Sequence, residues 1–352
     1  MISFLLRKTI YSLFVILGII TIVFVLFNII PADPAKMMLG ERDDARQLEK
    51  IRKKYNLDKP ILSRYFLYLN DLSVISVYDK NDDKINSIDI LSFPLKKKQI
   101  VIKKPFLGES FFYKEKKVLD LILSVFPNTF VLAFVSIVFA IFLAIPIGVI
   151  SAVKKDSFFD RFFWIFGSFG MSLPSFFSAI IIMWIFAYKL NWLTNLNVVG
   201  SLYEVDDLGR GEYLEFKNII LPAITLGIRP IAVIINLTRN SLLESLSSNY
   251  VRTARSKGLS ESRVVLIHAL RNSLSSVLTA SSGWFASMLS GAVFVEYIFG
   301  WNGIGKLLVD SINNMDFPLV MGLILFIGVC FVFINILVDI IYSWLDPRVK
   351  IQ

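Results

Sequence analysis

The stretch GWNGIGKLL (300–308) comes closest to a chemical signature in this chain. Gly300, Gly305 and Lys306 stand in the register of the phosphate-binding loop G-x-x-x-x-G-K-[ST], which cradles nucleotide phosphates. Leu307 occupies the position at which Ser or Thr would hold magnesium, and no buried parallel strand precedes the loop. We therefore interpret Gly300, Gly303 and Gly305 as a tight turn at a helix entrance, where glycine permits a positive φ.

The other reactive residues have no catalytic or metal-binding spacing. The chain contains no H-E-x-x-H, C-x-x-C or G-x-S-x-G pattern, one histidine (His268) and one cysteine (Cys330). A single cysteine cannot form an internal disulfide. A proton relay through Glu296 and Asp339 is disfavoured, because both lie at or near the ends of apolar runs. We expect a protein that is not an enzyme and that binds no metal and no cofactor itself.

The composition is that of a polytopic membrane protein. Of 352 residues, 55% are hydrophobic and 18% charged, and the mean hydropathy is +0.64. Soluble domains carry about 45–50% apolar and about 25% charged residues. The excess lies in runs of about 20 residues, the length that crosses the hydrocarbon of a bilayer. We attribute the net charge of +9 to cationic loops retained in the cytoplasm and not to nucleic-acid binding.

The apolar runs predict an all-α protein with six transmembrane helices. The first run follows Arg7 and Lys8 and is longer than the apolar region of a signal peptide, so we expect it to be retained. The predicted spans are Ile10–Ile30, Thr129–Ile150, Phe162–Ala187, Ile219–Leu237, Val277–Ile298 and Phe317–Leu345.

The distribution of basic residues predicts the orientation in the inner (cytoplasmic) membrane. Lys154, Lys155 and Arg161 lie between spans two and three, and six more basic residues lie between spans four and five. With the basic residues near both ends of the chain, this bias places both termini in the cytoplasm. The segment 31–117 is also rich in lysine, but such long segments cross the membrane largely regardless of charge, so we place it outside.

The predicted organisation has four parts. Residues 1–30 form the N-terminal transmembrane helix, 31–117 an extracytoplasmic segment, 118–345 a core of five transmembrane helices, and 346–352 a cytoplasmic tail. Within the extracytoplasmic segment, residues 76–104 predict a polar loop plus a short strand pair.

The cytoplasmic loop 238–276 has the periodicity of amphipathic helices. Leu243, Leu246, Tyr250 and Ala254 recur at i, i+3, i+7 and i+11, one face of a helix. Gly258 stands at a C-terminal cap position, and the following residues predict a second helix. Periodicity alone supports two interpretations of this loop. It is either a lever that transmits movement to spans four and five, or a hairpin that lies on lipid headgroups.

Two kinds of residue inside the predicted spans are candidates for lining a pathway. Arg229 lies near the middle of span four, where a charge costs at least about 2.5 kcal/mol on insertion scales and needs water or a partner. Its alternative role is structural, paired with Asp339 or standing beside a kink. Pro174 and Pro230 interrupt helical hydrogen bonds, which is common along transport pathways and also in ordinary membrane helices.

The segment YVRTARSKGLSESRVVLIHALRNSL (250–274) resembles the EAA loop of ABC-importer permeases, specifically the dipeptide/oligopeptide/nickel family. Further stretches resemble this family in order along the chain, and the ordered set is more specific than any single stretch. They are IIPADPA (29–35), YNLDKPILSRYFLYL (55–69), PFLGESF (105–111), SLPSFF (172–177), ILPAITLG (220–227), GAVFVEYIFGWNGIGKLLVDSI (291–312) and DPRVK (346–350).

The resemblance implies a type I ABC-importer permease fold and a subunit that moves peptides, or a related solute such as a nickel chelate or glutathione, into the cytoplasm. It implies two cytoplasmic ATPase partners that carry ATP and magnesium, an extracytoplasmic solute-binding protein, and a second permease subunit in a heterodimer. The residues implied in coupling to the ATPase are Tyr250, Arg252, Ala254, Arg255, Lys257, Gly258 and Leu259.

The sequence departs from the family pattern at three places. Ser276 stands where a proline is usual, Asn249 replaces an acidic residue, and the outer segment around 74–104 is longer than usual. The competing function from another class is a self-sufficient secondary transporter or channel, which predicts internal repeats that we do not find. An intramembrane enzyme is the third possibility, and it lacks paired acids or nucleophiles at membrane depth.

Overall fold

A computed structural model describes residues 2–28, 45–54, 56–79, 89–94, 98–114, 116–206 and 211–345. The family-like stretch IIPADPA (29–35), most of the predicted polar loop and the predicted tail 346–352 lie outside the described residues. The described chain is mostly helical, in agreement with the predicted class.

Four described helices are long and apolar enough to cross a membrane. They correspond to the first, second, fourth and sixth predicted spans. The helices that contain them are α1 (Ile2–Asn28), α4 (Val118–Val153), α8 (Lys217–Ser247) and α14 (Phe317–Leu345). The 36 residues of α4 span about 54 Å, so this helix outreaches the hydrocarbon layer that its apolar centre crosses.

The third predicted span is two helices instead of one. α5 (Phe158–Ser172) and α6 (Ser175–Ile182) meet at a bend of 109°. The cause is Pro174, which has no N–H to donate and holds Leu173 in an extended conformation (φ −78°, ψ 132°). A π-helical stretch (Met183–Lys189) and the short α7 (Asn191–Thr194) follow. Counted as one bent span, this pair raises the number of spans to five.

The fifth predicted span is also interrupted. α10 (Glu261–Arg263) continues through a π-helical stretch (Val264–Ala269) into α11 (Leu270–Gly291), which stops at Ala292 before α12 (Val293–Ile298). The serine-rich sequence of α11 lowers its hydropathy, and it is not among the helices that qualify as spans. Six spans therefore remain a prediction.

Two helices and a sheet occupy the described part of the long segment after α1. The helices are α2 (Ala45–Lys54) and α3 (Ile61–Leu72). The strands β1 (Ile75–Asp79), β2 (Asp89–Pro94) and β3 (Lys98–Lys103) form an antiparallel sheet in the order β1-β3-β2. The predicted strand pair is thus a three-stranded sheet, because β3 pairs with a strand on each of its edges.

The sheet is closely tied to the C-terminal end of α3. The Asn70 carboxamide donates to the Val77 carbonyl (3.1 Å) and accepts from the Val77 N–H (2.9 Å), so it covers the outer edge of β1. The Phe106 N–H donates to the Asp71 carbonyl (2.9 Å), which joins the chain leaving the sheet to the chain entering it. The buried Lys103 ammonium donates to the same Asp71 carbonyl.

The chain divides into two compact units. The first comprises Met1–Ser12, Val125–Leu307 and Val329–Gln352, and the second comprises Leu13–Ser124 and Leu308–Gly328. The first unit has an apolar core in which residues of α4, α8 and α11 pack, including the fully buried Leu132, Ile234 and Val277. It also contains a small hairpin of β4 (Tyr203–Val205) and β5 (Glu212–Leu214).

In the second unit, the buried Asp316 carboxylate fastens an extended segment to the start of α14. It accepts hydrogen bonds from the Ser110 hydroxyl and from the N–H groups of Phe111 (3.1 Å) and Phe112 (3.2 Å). The same side chain accepts from the Leu319 N–H (3.4 Å) in the first turn of α14. One carboxylate therefore satisfies donors that would otherwise be buried without partners.

We expect Asp316→Asn to destabilise this unit by about 1–3 kcal/mol, because the new amide hydrogens would face N–H donors. The measurement is thermal unfolding of the detergent-solubilised protein. The control is Asp310→Asn, whose carboxylate has no hydrogen bond within the described chain. Equal unfolding temperatures for the two variants would contradict this role of Asp316.

Candidate functional site

The loop between the fourth and fifth predicted spans forms two helical segments that meet at Gly258. α8 ends at Ser247, Ser248 is extended (ψ 156°), and α9 (Asn249–Ser256) begins directly afterwards. α10 then starts after Ser260, at its N-cap position but without a side-chain capping hydrogen bond. The structure therefore contains the predicted pair of helices, α9 and α10, between the fourth and fifth predicted spans.

The inner face of the loop is an apolar cluster. Its buried members are Ala152, Leu242, Val251, Ala254, Val264, Val265 and Ala269. Leu243, Leu246 and Leu259 pack against it, as the predicted helical face requires for the first two. Tyr250 was predicted on the same face but is 43% exposed. The extended Ser248 resets the helical phase, so that Val251 takes the inward position instead.

Gly258 ends α9 with a Schellman motif, as its predicted cap position requires. Its φ is +75°, the Gly258 N–H donates to the Arg255 carbonyl (2.9 Å), and the Leu259 N–H donates to the Ala254 carbonyl (3.5 Å). Leu259 and Ala254 share the apolar cluster, which is the hydrophobic contact that accompanies this motif. A Cβ at position 258 would meet no atom within 4 Å, so the constraint on this residue is conformational.

The outer face of the loop is exposed and basic. Arg252, Arg255, Lys257 and Arg263 are exposed. The Arg255 guanidinium donates to both carboxylate oxygens of Glu261 (3.1 and 2.5 Å), which links α9 to α10 across the glycine turn. This hydrogen bond lowers the pKa of Glu261. An exposed ion pair contributes little stability, so its effect is to set the shape of the tip.

A buried ion pair stands at the base of the same loop. The Arg239 guanidinium donates to Asp160 through Nε (2.6 Å) and Nη2 (2.7 Å), a bidentate arrangement that joins α8 to the start of α5. Asp160 also accepts from the Asp156 N–H (2.9 Å). From the sequence, Arg239 is one of the six basic residues between spans four and five, with no sign of its partner. The pairing joins residues 79 positions apart, which no local pattern predicts.

The candidate pathway residues take three different environments. Arg229 is exposed on α8 and has no hydrogen-bond or ion-pair partner in the described chain. The Asp339 carboxylate, its alternative partner, contacts the Lys8 ammonium instead. Pro230 is buried within α8, which continues through it. Pro174 is the N-cap residue of α6 at the bend.

The glycine turn does bind a carboxyl group, but this group is a side chain of the same chain. The Glu296 carboxylate is fully buried and accepts from the N–H groups of Gly305 (2.6 Å) and Lys306 (3.4 Å), at the start of α13 (Ile304–Asn313). The Thr129 hydroxyl accepts from the Ile304 N–H (2.8 Å). Helix N-termini favour anions because their first N–H groups lack partners.

Close packing and backbone conformation explain the three glycines of the turn, and Gly303 lies nearest to the carboxylate. A Cβ at position 303 would lie 2.4 Å from Glu296 Oε2 and 2.5 Å from Thr129 Oγ1. A Cβ at position 305 would lie 2.4 Å from the Val293 Cα atom and 2.9 Å from Glu296 Oε2. Gly300 has a φ of +67°, as the predicted tight turn requires. The three glycines were predicted from the sequence. The hydrogen bonds from this turn to Glu296 were not.

Comparison with protein families gives two matches that together cover almost the whole chain. The description "Binding-protein-dependent transport system inner membrane component" matches residues 144–351. The description "Binding-prot-dependent transport system membrane comp, N-term" matches residues 1–133. Both the loop 238–276 and the glycine turn fall within the first match.

Full-length relatives agree with the family matches, and a solved structure shares the fold. The chain is 33% identical over 366 residues to the di/tripeptide transport system permease protein of Pseudomonas aeruginosa, with 100% of both chains covered. It is 31% identical to the dipeptide transport system permease protein of Alkalihalophilus pseudofirmus (99% and 100% covered). A structure of the inward-facing MetNI methionine ABC transporter shares the fold, with a TM-score of 0.52, 13% identity and coverage of 65% of this chain and 97% of that chain.

We expect Gly303→Ala to destabilise the protein by about 1–3 kcal/mol, because the methyl group would overlap the Glu296 carboxylate and the Thr129 hydroxyl. Gly283→Ala is the matched control: the methyl group would meet nothing within 4 Å, and alanine favours the helix. The measurement is thermal unfolding in detergent. A Gly303→Ala protein as stable as the control would contradict the described packing.

Proposed function

We propose, since the chain belongs to the family of binding-protein-dependent transport system inner membrane components, that it carries peptides into the cytoplasm as one of two permease subunits. The chain is a permease subunit of an ABC importer, an inner-membrane transport protein. The main structural support for coupling to an ATPase is the loop at Gly258, which has a buried apolar inner face and an exposed basic tip.

Peptides are the proposed solute because of the relatives. Proteins that match this chain over nearly its full length are named for di/tripeptide, dipeptide and oligopeptide transport, and one is named for glutathione transport. These solutes share a free carboxylate. The second permease subunit is a different chain in this proposal, and together the two subunits form the pathway.

The proposed topology has six spans with both termini in the cytoplasm. The basic residues of the short loops support it, since such loops are retained on the cytoplasmic side. The loop 238–276 then lies in the cytoplasm, and the glycine turn at 300–305 lies outside with residues 31–117. The third span is the bent pair α5 and α6, and the fifth is α11 with α12.

The loop at Gly258 would dock on one ATPase subunit. Arg252, Arg255 and Lys257 present charge to that partner, and Tyr250 adds an exposed aromatic contact. Ala254, Gly258 and Leu259 hold the shape that presents them. Because the inner face packs against the ends of α8 and α4 and the start of α11, a push on the tip moves those ends. ATP and magnesium stay on the ATPase subunits.

Arg229 would attract the carboxylate of the solute. An exposed arginine in the middle of a span is costly against lipid, and no partner within the described chain neutralises it. It therefore faces the aqueous pathway in this proposal. Pro230 beside it and Pro174 at the bend of the third span would mark the same pathway.

The extracytoplasmic segment would receive the solute-binding protein. The sheet supports this, because one of its faces is apolar and exposed: the register aligns Ile75, Ile102 and Leu91, and next to them Val77, Ile100 and Phe93. Val77 is 47% and Phe93 53% exposed. Such a face on the outer side suits a protein that delivers solute to the pathway.

The docking proposal is tested by reversing charge at the tip of the loop. We expect Arg252→Glu with Lys257→Glu to reduce co-purification of the ATPase subunits about tenfold, which corresponds to about 1.4 kcal/mol. Lys155→Glu is the control, an exposed basic residue in the preceding loop on the same proposed side. Unchanged co-purification would contradict docking at the tip. A protein that moves solute in liposomes without any ATPase would instead favour a secondary transporter.

The pathway proposal predicts the effect of neutralising Arg229. We expect Arg229→Leu to reduce peptide uptake by about tenfold or more, because a charged hydrogen bond to a carboxylate contributes about 1.5–3 kcal/mol. Arg229→Lys keeps the charge and should retain most of the uptake. Thermal unfolding of both variants separates transport from folding. Normal uptake by a folded Arg229→Leu protein would exclude this role.

A further inference from the structure

Helix α3 presents apolar side chains that the described chain leaves uncovered. Leu62 is 72% exposed and Phe66 is 66% exposed. Their spacing of four residues places them on one face of the helix. A continuous apolar surface of this kind marks an interaction site for protein or for lipid. Its position relative to the first span decides between these two partners.

α3 lies against the last turns of α1. The Tyr65 and Thr21 hydroxyls are 2.7 Å apart, and Phe24 meets the Tyr65 ring edge-on with centroids 5.2 Å apart. The Tyr68 ring also packs against Phe24, at 5.7 Å. These contacts fix α3 at the level of the apolar span and not above it.

The depth of α3 follows from the length of that span. The apolar span ends at Asn28, and the Arg64 guanidinium donates to the Asn28 carboxamide at this end. Thr21 is seven residues earlier, about 10 Å deeper along the helix axis. A residue about 10 Å inside the end of a span lies among the acyl chains of one leaflet, so α3 reaches below the headgroups. On α1 itself, Ile22 (60%) and Leu26 (43%) are exposed at the same level.

The chain that leads into α3 is basic. Between residues 45 and 64 stand seven basic residues (Arg46, Lys50, Arg52, Lys53, Lys54, Lys59 and Arg64) and two acidic ones (Glu49 and Asp58). A basic helix next to apolar residues is the composition of an interfacial segment on anionic lipid. This also gives a role to a basic surplus on the side where loops usually carry few such residues.

We propose that residues 45–72 form an interfacial anchor in the outer leaflet of the membrane. Leu62 and Phe66 enter the acyl chains, and Arg52 and Lys53 of α2 lie over anionic headgroups. The occupant is lipid and not the solute-binding protein, because the apolar face continues the lipid-facing surface of α1 at the same depth. The proposal rests on the outer placement of residues 31–117 given above.

The test uses nitroxide labels on the assembled importer in liposomes. Cys330→Ala removes the native thiol, and single cysteines replace Leu62 and Phe66, with Lys98→Cys on β3 as an exposed reference site. We expect the labels at 62 and 66 to be more accessible to oxygen than to a water-soluble nickel chelate, and the label at 98 to show the reverse. Labels at 62 and 66 that behave like the one at 98 would overturn the proposal. So would labels that become shielded only when the solute-binding protein is added.

A charge variant tests the headgroup contact without touching the apolar face. With phosphatidylglycerol in the vesicles, we expect deeper labels at 62 and 66 than in neutral vesicles, and loss of that difference in Arg52→Glu with Lys53→Glu. Lys114→Glu with Lys116→Glu is the matched control in the same segment. An equal loss in the control would overturn the assignment to α2.

Sidedness is measured separately. A membrane-impermeant maleimide added outside should react with the cysteine at 98 in intact, right-side-out vesicles. Reaction only after permeabilisation would overturn the outer placement, and with it the outer leaflet. ATPase co-purification through the loop at Gly258 would still stand in that case, so the two failures are distinguishable.

Discussion

Buried carboxylates at helix N-termini organise this protein. A helix begins with N–H groups that have no partner in the helix itself, and in a membrane protein little water is present to satisfy them. Glu296 satisfies those of α13, and Asp316 satisfies those of α14 together with the N–H groups of an extended segment. The glycine at 303 follows from this requirement, because a side chain there would overlap the carboxylate, and the glycine at 305 makes room for both the carboxylate and the Val293 backbone.

The loop at Gly258 has a structure suited to transmitting movement. Its inner face is apolar and packed, its outer face is charged, and one glycine in a left-handed conformation separates the two helical segments. A loop that were polar throughout would bend under load instead of moving the helices that carry it. The bidentate pair of Arg239 and Asp160 stiffens the base, because it joins α8 to the start of α5. In the proposed docking, movement of the tip would therefore reach two predicted spans together.

Local features of this fold were predictable from sequence, and distant pairings were not. Apolar runs located four described spans, but two of the helices are longer than predicted: one begins 11 residues earlier, at Val118, and one ends 10 residues later, at Ser247. The cap at Gly258 followed from the residue type and the preceding periodicity. Pro174 was recognised as an interruption, but the size of the bend depends on packing. The third strand was missed because a polar, lysine-rich segment carries little hydrophobic signal. Glu296 and Asp160 were missed because their partners lie far along the chain or on backbone atoms.

The joined ends of the three-stranded sheet have a consequence for how its loops tolerate changes in length. Asp71 and Phe106 share a hydrogen bond, so the chain enters and leaves the sheet at neighbouring points. Closing a longer or shorter loop between two fixed points changes the free energy only slowly with length. The Asn70 carboxamide covers the edge of β1, which removes a surface for strand exchange between neighbouring copies. A change in the length of the loops within the sheet would therefore leave the C-terminal end of α3 in place.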